Sequence, residues 1–241
     1  MNYVAIDPSL SCTAMVVNDK KFVYTTPTVA HTKKGEFKRW FTECEDYATI
    51  RVFEDTPTNL SHNDLELWKL RQYDRIASTI FEDICWGINS EEPLQVAIEG
   101  YSYSSAAGPL IDLVTLSTII RKFYHINLNS DKEGELLFSD LQIFQPTEVK
   151  QRAAALTYPP IKKGKKIEYR NKDGVAGGSF KKHEMYKVLT ENPDLHNDPW
   201  VEFIRGHEAE VMEMKSVPKP IEDINDAKIL YEILKSPQPL Q

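Results

Sequence analysis

The sequence predicts an α/β fold, a mixed β-sheet flanked by helices and carrying insertions. Two observations lead to this. Short apolar, β-branched segments open the chain at 3–7, 13–17 and 22–25. Helical patterns then alternate with further buried strands, the arrangement that layers helices on a sheet.

Residues 3–7 form an apolar run ending in Asp7, the turn Pro8-Ser9-Leu10-Ser11 follows, and 13–17 is apolar again, so two strands are joined by a tight connection. A third strand fits 22–25, and 27–62 is mixed and turn-rich with no clear period. From 63, Leu67, Leu70, Ile76, Ile80 and Ile84 recur at helical spacing, predicting a long amphipathic helix to about 86. LQVAIE (94–99) is a buried strand that again ends in an acid. An apolar helix follows over 109–123, with Pro109 in its first turn. A short strand at 141–144 leads into the helix start Pro146-Thr147-Glu148. The stretch 157–180 is basic with Pro and Gly pairs and reads as a mobile loop. Helices over 180–189 and 222–234 flank a partly irregular segment at 192–220. The whole is expected to be one domain over 1–241, with insertions near 25–62, 157–180 and 193–220.

Composition is that of an ordinary globular protein, 41% hydrophobic and 10% aromatic. No apolar run approaches the ~20 residues needed to span a bilayer. The opening MNYVAID has no signal-peptide character, so a cytoplasmic location is expected. Cys12, Cys44 and Cys85 are scattered, giving neither a disulfide framework nor a zinc site. The net charge of −7 conceals an asymmetry: 158–187 holds nine basic residues against three acidic ones. Lys162, Lys163, Lys165, Lys166, Lys181 and Lys182 are among them. Such a segment on an acidic body can gather a polyanion, or it can be a solvated lysine-rich loop.

Four carboxylates stand out. Asp7 and Glu99 end buried strands, and Asp223 and Asp226, three apart in IEDINDAKILYEIL, share a helical face that Ala227, Leu230, Tyr231 and Leu234 continue inward. Acids facing a core are costly unless something positive neutralises them. Hard cations such as Mg²⁺ take such oxygen ligands. Singly, each acid has an ordinary explanation. Asp7 can start a turn with Pro8, Glu99 can face solvent, and Asp223 can cap its helix with Asp226 favouring the dipole. Their order and placement on two strands and a helix is less ordinary.

These stretches resemble RuvC-type Holliday-junction resolvases, of the RNase H-like nuclease superfamily. VAIDPSLSCTAMVV is similar to the family's opening, VAIEGYSY to its second motif and DINDA to its C-terminal Asp-x-x-Asp-Ala. QPTEVKQRAA and KKHEMYKVL resemble its Pro-x-x-Val-Lys segment and the lysine-led helix after it. The matches span 3–234 in the family's order; Ser9 and Ala14 stand where it commonly has Gly. The resemblance implies an RNase H-like fold, two Mg²⁺ ions that Mn²⁺ can replace, and a homodimer that nicks branched DNA such as a four-way junction. It makes Asp7, Glu99, Asp223 and Asp226 the metal ligands and catalytic acids, with Lys150 and Lys182 contacting the scissile region or nearby phosphates. Tyr101 and Tyr103 flank Ser102, which stands at the family's junction-probing aromatic position; either could stack on an unpaired base or pack beneath a helix. The chain's length resembles versions encoded by large bacteriophages.

Other readings start from the same residues. One is a nuclease of this fold acting on flaps, forks or RNA; another is a DNA-binding module without chemistry. An actin-like ATPase needs a Gly-rich phosphate hairpin that PSLSC does not provide. Cys12 in an apolar strand reads as core, and His183 and His207 as surface residues.

Overall fold

The computed structural model describes residues 1–32, 34–100, 107–128, 138–164 and 166–236. Strands β1 (Asn2–Asp7), β2 (Cys12–Val17) and β3 (Lys20–Thr25) form an antiparallel meander. The β2–β3 turn is Asn18-Asp19, with φ of 45° and 68°, a left-handed pair that Asn and Asp tolerate. Next come α1 (Lys34–Cys44), β4 (Ala48–Val52) and the long α2 (His62–Gly87). Ser61 caps α2, its hydroxyl accepting from the Asp64 N–H at 3.2 Å. Then follow β5 (Leu94–Glu99), α3 (Ala107–Leu128), β6 (Phe138–Phe144) and α4 (Pro146–Thr157), which has Pro146 in its first turn. A small hairpin of β7 (Pro160–Lys163) and β8 (Lys166–Tyr169) precedes α5 (Lys182–Thr190), α6 (Pro199–Gly206), α7 (Glu208–Glu213) and α8 (Ile221–Lys235).

Among the described residues, six strands make one mixed sheet in the order β4-β3-β2-β1-β5-β6. The β3–β4, β1–β5 and β5–β6 pairs are parallel, so β1, β3, β4, β5 and β6 all end at one edge. Alternation along the strands separates two cores. Val4, Ile6, Val96 and Ile98 pack against α2 and α3. Ala5, Cys12, Ala14 and Ala97 face the other way, toward α8. These small side chains let α8 lie close over β1, β2 and β5.

Helix α8 is covered on its far side by α4 and α5 and is buried nearly all round. Burial extends to polar positions. Asn225 accepts from the Trp200 indole N–H at 2.9 Å. Lys228, 1% exposed, places its Nζ 2.7 Å from Asp198, 2.8 Å from Glu232 and 2.9 Å from Asp19. One ammonium thus ties α8 to the β2–β3 turn and to the start of α6, and its charge is matched, the condition under which burial is tolerated.

Two sequence expectations are corrected. Where a loop is expected at 157–180, the described residues include the antiparallel pair β7–β8 and a 3-10 turn at Gly177–Ser179. Gly164, directly after β7, has the left-handed φ of 65° that glycine adopts without strain. Gly177 presses on α4 so closely that a Cβ there would stand 2.5 Å from the Ala154 Cβ. The segment 27–62 contains α1 and β4, where Trp40, Phe41 and Cys44 bury one short face. No helix among the described residues is long and apolar enough to cross a membrane.

Candidate active site

Pairing of β1 with β5 sets Ile6 beside Ile98, so the next residues, Asp7 and Glu99, emerge as neighbours where the two strands end. By alternation both point to the α8 side, as Ala5 and Ala97 do. Their carboxyls are close enough to share a hydrogen bond. Above them lies the start of α8. Its N-cap is Pro220, which has no side chain able to cap; Asp223 sits in the first turn and Asp226 one turn on. Asp223 and Asp226 are 3% and 7% exposed.

Crowding of these acids perturbs all four. Burial, then the charges of Glu99 and Asp226, holds the Asp7 carboxyl well above the usual carboxylate range. Burial and Asp226 push Glu99 up to about 7, against the opposing pull of Lys182 and Lys150. Burial raises Asp226 although Lys182 opposes it, and raises Asp223 although Lys219 opposes it. Like-charged carboxyls gathered with this little water are a signature of functional sites.

Two lysines neutralise part of the cluster. Lys182 Nζ lies 2.5 Å from Asp226 and 2.9 Å from Glu222, and Lys219 Nζ lies 2.6 Å from Asp223. Burial alone would lower the affinity of Lys182 for its proton; Asp226 and Glu222 outweigh that and raise it. Lys182, which the resemblance assigns to the scissile region or nearby phosphates, is therefore engaged with an acid of the site. Lys150 lines a cleft of about 180 Å³ with Glu99, Lys181, Lys182 and Asp226.

A divalent cation suits the donor set. The oxygens are carboxylates, the ligands hard cations take. Asp223 Oδ2 is buried with no hydrogen-bond partner. As placed, no three His, Cys, Asp or Glu side chains among the described residues form a ready ligand group.

The remaining expected residues divide. Lys162 is exposed on the β7–β8 hairpin. Lys163 and Lys166 pair across that hairpin's backbone. Tyr101, Tyr103 and Lys165 lie outside the described residues, as do the side chains of Lys163 and Lys166. Cys12 is core, as expected; burial and the neighbouring charge of Asp223 push the thiol's pKa up, away from nucleophile chemistry. His183 and His207 are not free surface groups. The first contacts the Val211 carbonyl at 3.2 Å and the second meets Trp40 edge-on.

Sequence reasoning missed Lys219 and Glu222. Lys219 precedes Asp223 by four, an ion-pair spacing, but Pro220 hides its link to α8. Compared with known proteins, the chain matches no family model and no curated sequence.

Proposed function

We propose that the chain is a divalent-metal-dependent endonuclease with an RNase H-like fold, most similar to RuvC-type resolvases and acting on branched DNA. The observation that carries this reading is the convergence of Asp7, Glu99, Asp223 and Asp226, from two adjacent parallel strands and one helix, on one face at one sheet edge. Further support comes from the sheet order, an antiparallel meander extended by parallel strands on both sides, and from the acids' raised proton affinity.

In this reading Asp7, Glu99, Asp223 and Asp226 hold Mg²⁺ or Mn²⁺. When bound, such ions supply an activated water and charge stabilisation for the leaving oxygen of a phosphodiester. The chain's own groups do the rest. Asp7 and Glu99, fixed by strand pairing, are presented without loop motion. Lys150 offers a point charge beside Glu99 for the phosphate and the developing oxyanion. Lys182, once Asp226 is engaged elsewhere, becomes a second such charge. The β7–β8 hairpin, packed against α4, would add further basic residues for phosphate contact. A four-way junction has two-fold symmetry, which a C2 homodimer would match.

One observation favours a second reading, a DNA-binding module without chemistry: Lys182 and Lys219 already neutralise Asp226 and Asp223 without metal. The test is cleavage of a labelled four-way junction beside linear duplex, flap and RNA controls. It is run with Mg²⁺ and with EDTA, for wild type and Asp226→Asn. Paired nicks at the junction that need metal and vanish in the variant are expected. Cleavage of the flap or RNA instead keeps the mechanism and changes the substrate. Binding without any cleavage selects the module.

A further inference from the structure

Lys219 stands where elementary electrostatics disfavours it. It immediately precedes Pro220, the N-cap of α8, and its Nζ lies 2.6 Å from Asp223 Oδ1 in the first turn. That is the positive end of the helix dipole, where a cation is unfavourable. Burial alone would also lower the affinity of Lys219 for its proton; Asp223 outweighs that and raises it. Pro218 and Pro220, both buried, flank Lys219 and pin the backbone that delivers it. A cation kept in such a place has its role toward the carboxylate it touches.

The four acids of the site are not equivalent. Glu99 and Asp226 line the cleft with Lys150 and Lys182, and Asp223 and Lys219 are not among its lining residues. The charge of Asp226 bears on both Asp7 and Glu99. Asp223 acts on Asp7 more weakly than Glu99, Asp226 or Lys182 does. Asp7, Glu99 and Asp226 thus make one group around Lys182, and Asp223 makes a second with Lys219. Asp223 Oδ2 is buried with no hydrogen-bond partner, an acceptor left open on the carboxylate that Lys219 holds by its other oxygen. An ammonium is a compact point charge, and Mg²⁺ needs its carboxylate oxygen at about 2.0–2.1 Å. With this little water, the two repel too strongly to share one carboxylate.

We propose that Lys219 closes the second of two cation positions in the free protein, its ammonium standing on Asp223 in place of a divalent ion. This rests on the metal-dependent reading and gives it an order. Asp7, Glu99 and Asp226 would take the first ion by releasing only Lys182, whose side chain is 48% exposed and keeps Glu222 as a partner. Asp223 would take the second only by expelling Lys219, whose side chain is 23% exposed and enclosed by the fold. Lys219 is thus a positioning residue: it governs when Asp223 is free to serve as a ligand.

The test counts Mn²⁺ bound to the full-length protein without DNA, from the paramagnetic resonance signal of the free ion during titration. Wild type is expected to bind one ion per chain. Lys219→Met should bind two, the second about 10-fold or more tighter than any second ion in wild type. Lys219→Arg keeps the charge and should restore a count of one. Lys235→Met, at the far end of α8, should also leave it at one. Two acid variants decide the same point if Lys219→Met does not fold. Asp223→Asn should bind the first ion as wild type does, and Asp226→Asn about 10-fold or more weakly. Three results overturn the proposal and leave the metal site standing: two ions of similar affinity in wild type, a count of one in folded Lys219→Met, or Asp223→Asn weakening the first ion as much as Asp226→Asn. A wild type that binds no Mn²⁺ removes the metal-dependent reading itself, and the proposal with it.

Discussion

In EDTA at pH 8, Glu99→Gln is expected to unfold at higher urea than wild type, although it removes a residue of the proposed catalytic centre. Glu99 rises from its ordinary 4.5 to about 7 because it is buried beside Asp226. Between those two values the folded protein holds a proton that the unfolded chain has released, so stability falls as pH rises through that window. Above pH 7 the loss is complete. At about 1.4 kcal/mol per factor of ten, it amounts to up to about 3 kcal/mol. Glutamine carries no charge at any pH, so the variant escapes the loss; below pH 4.5 it and wild type should be alike. Urea denaturation at pH 5, 6, 7 and 8 measures the difference directly. Mg²⁺ should reverse the order, since wild type alone gains full binding energy, about 2.7 kcal/mol at a hundred times Kd. A variant no more stable than wild type at pH 8, or an advantage that persists undiminished at pH 5, would refute the electrostatic account of this site.

Three further outcomes are expected. Lys182→Met strips Asp226 of its counter-charge: the melting temperature in EDTA should fall, while calorimetric Mg²⁺ affinity should tighten because a competing cation has gone. Weaker Mg²⁺ binding would instead make Lys182 a supporting part of the metal site. Lys228→Met leaves the partly buried Asp198 and Glu232 without the ammonium they share, and should cost about 3 kcal/mol by denaturation at pH 7. Changing Lys162, Lys163, Lys165 and Lys166 to Gln should flatten the plot of log K against log salt by about 0.9 per lost phosphate contact. An unaltered slope would take the hairpin out of DNA binding.

Legibility of the fold tracked how strongly one physical signal dominated each segment. LQVAIE reads as a buried strand because nothing polar interrupts it before Glu99, and its observed bounds are Leu94–Glu99. The acids of α8 were readable because three-residue spacing continues into apolar positions. What spacing could not convey is that α8 is covered from both sides, so that Asn225 and Lys228 are buried too. The β7–β8 hairpin was hidden by its charge: its strands are four residues long, and Ile161 and Ile167 remain exposed, leaving no buried face to detect. Helix α1 was hidden by brevity, with Trp40, Phe41 and Cys44 too few to set a period. Gln72 looks from sequence like any polar position on an amphipathic helix. Only the packed α2 reveals that it points inward.

The placement of α8 between the sheet and the layer of α4 and α5 has a consequence for the order of events during synthesis. Asp7 and Glu99 are made early and belong to paired strands, but any nascent chain shorter than 226 residues holds only part of the acid cluster. Much of the packing of α4 and α5 is onto α8 itself. In the proposed nuclease reading, the acid cluster would be complete only once α8 is in place between the sheet and the layer of α4 and α5.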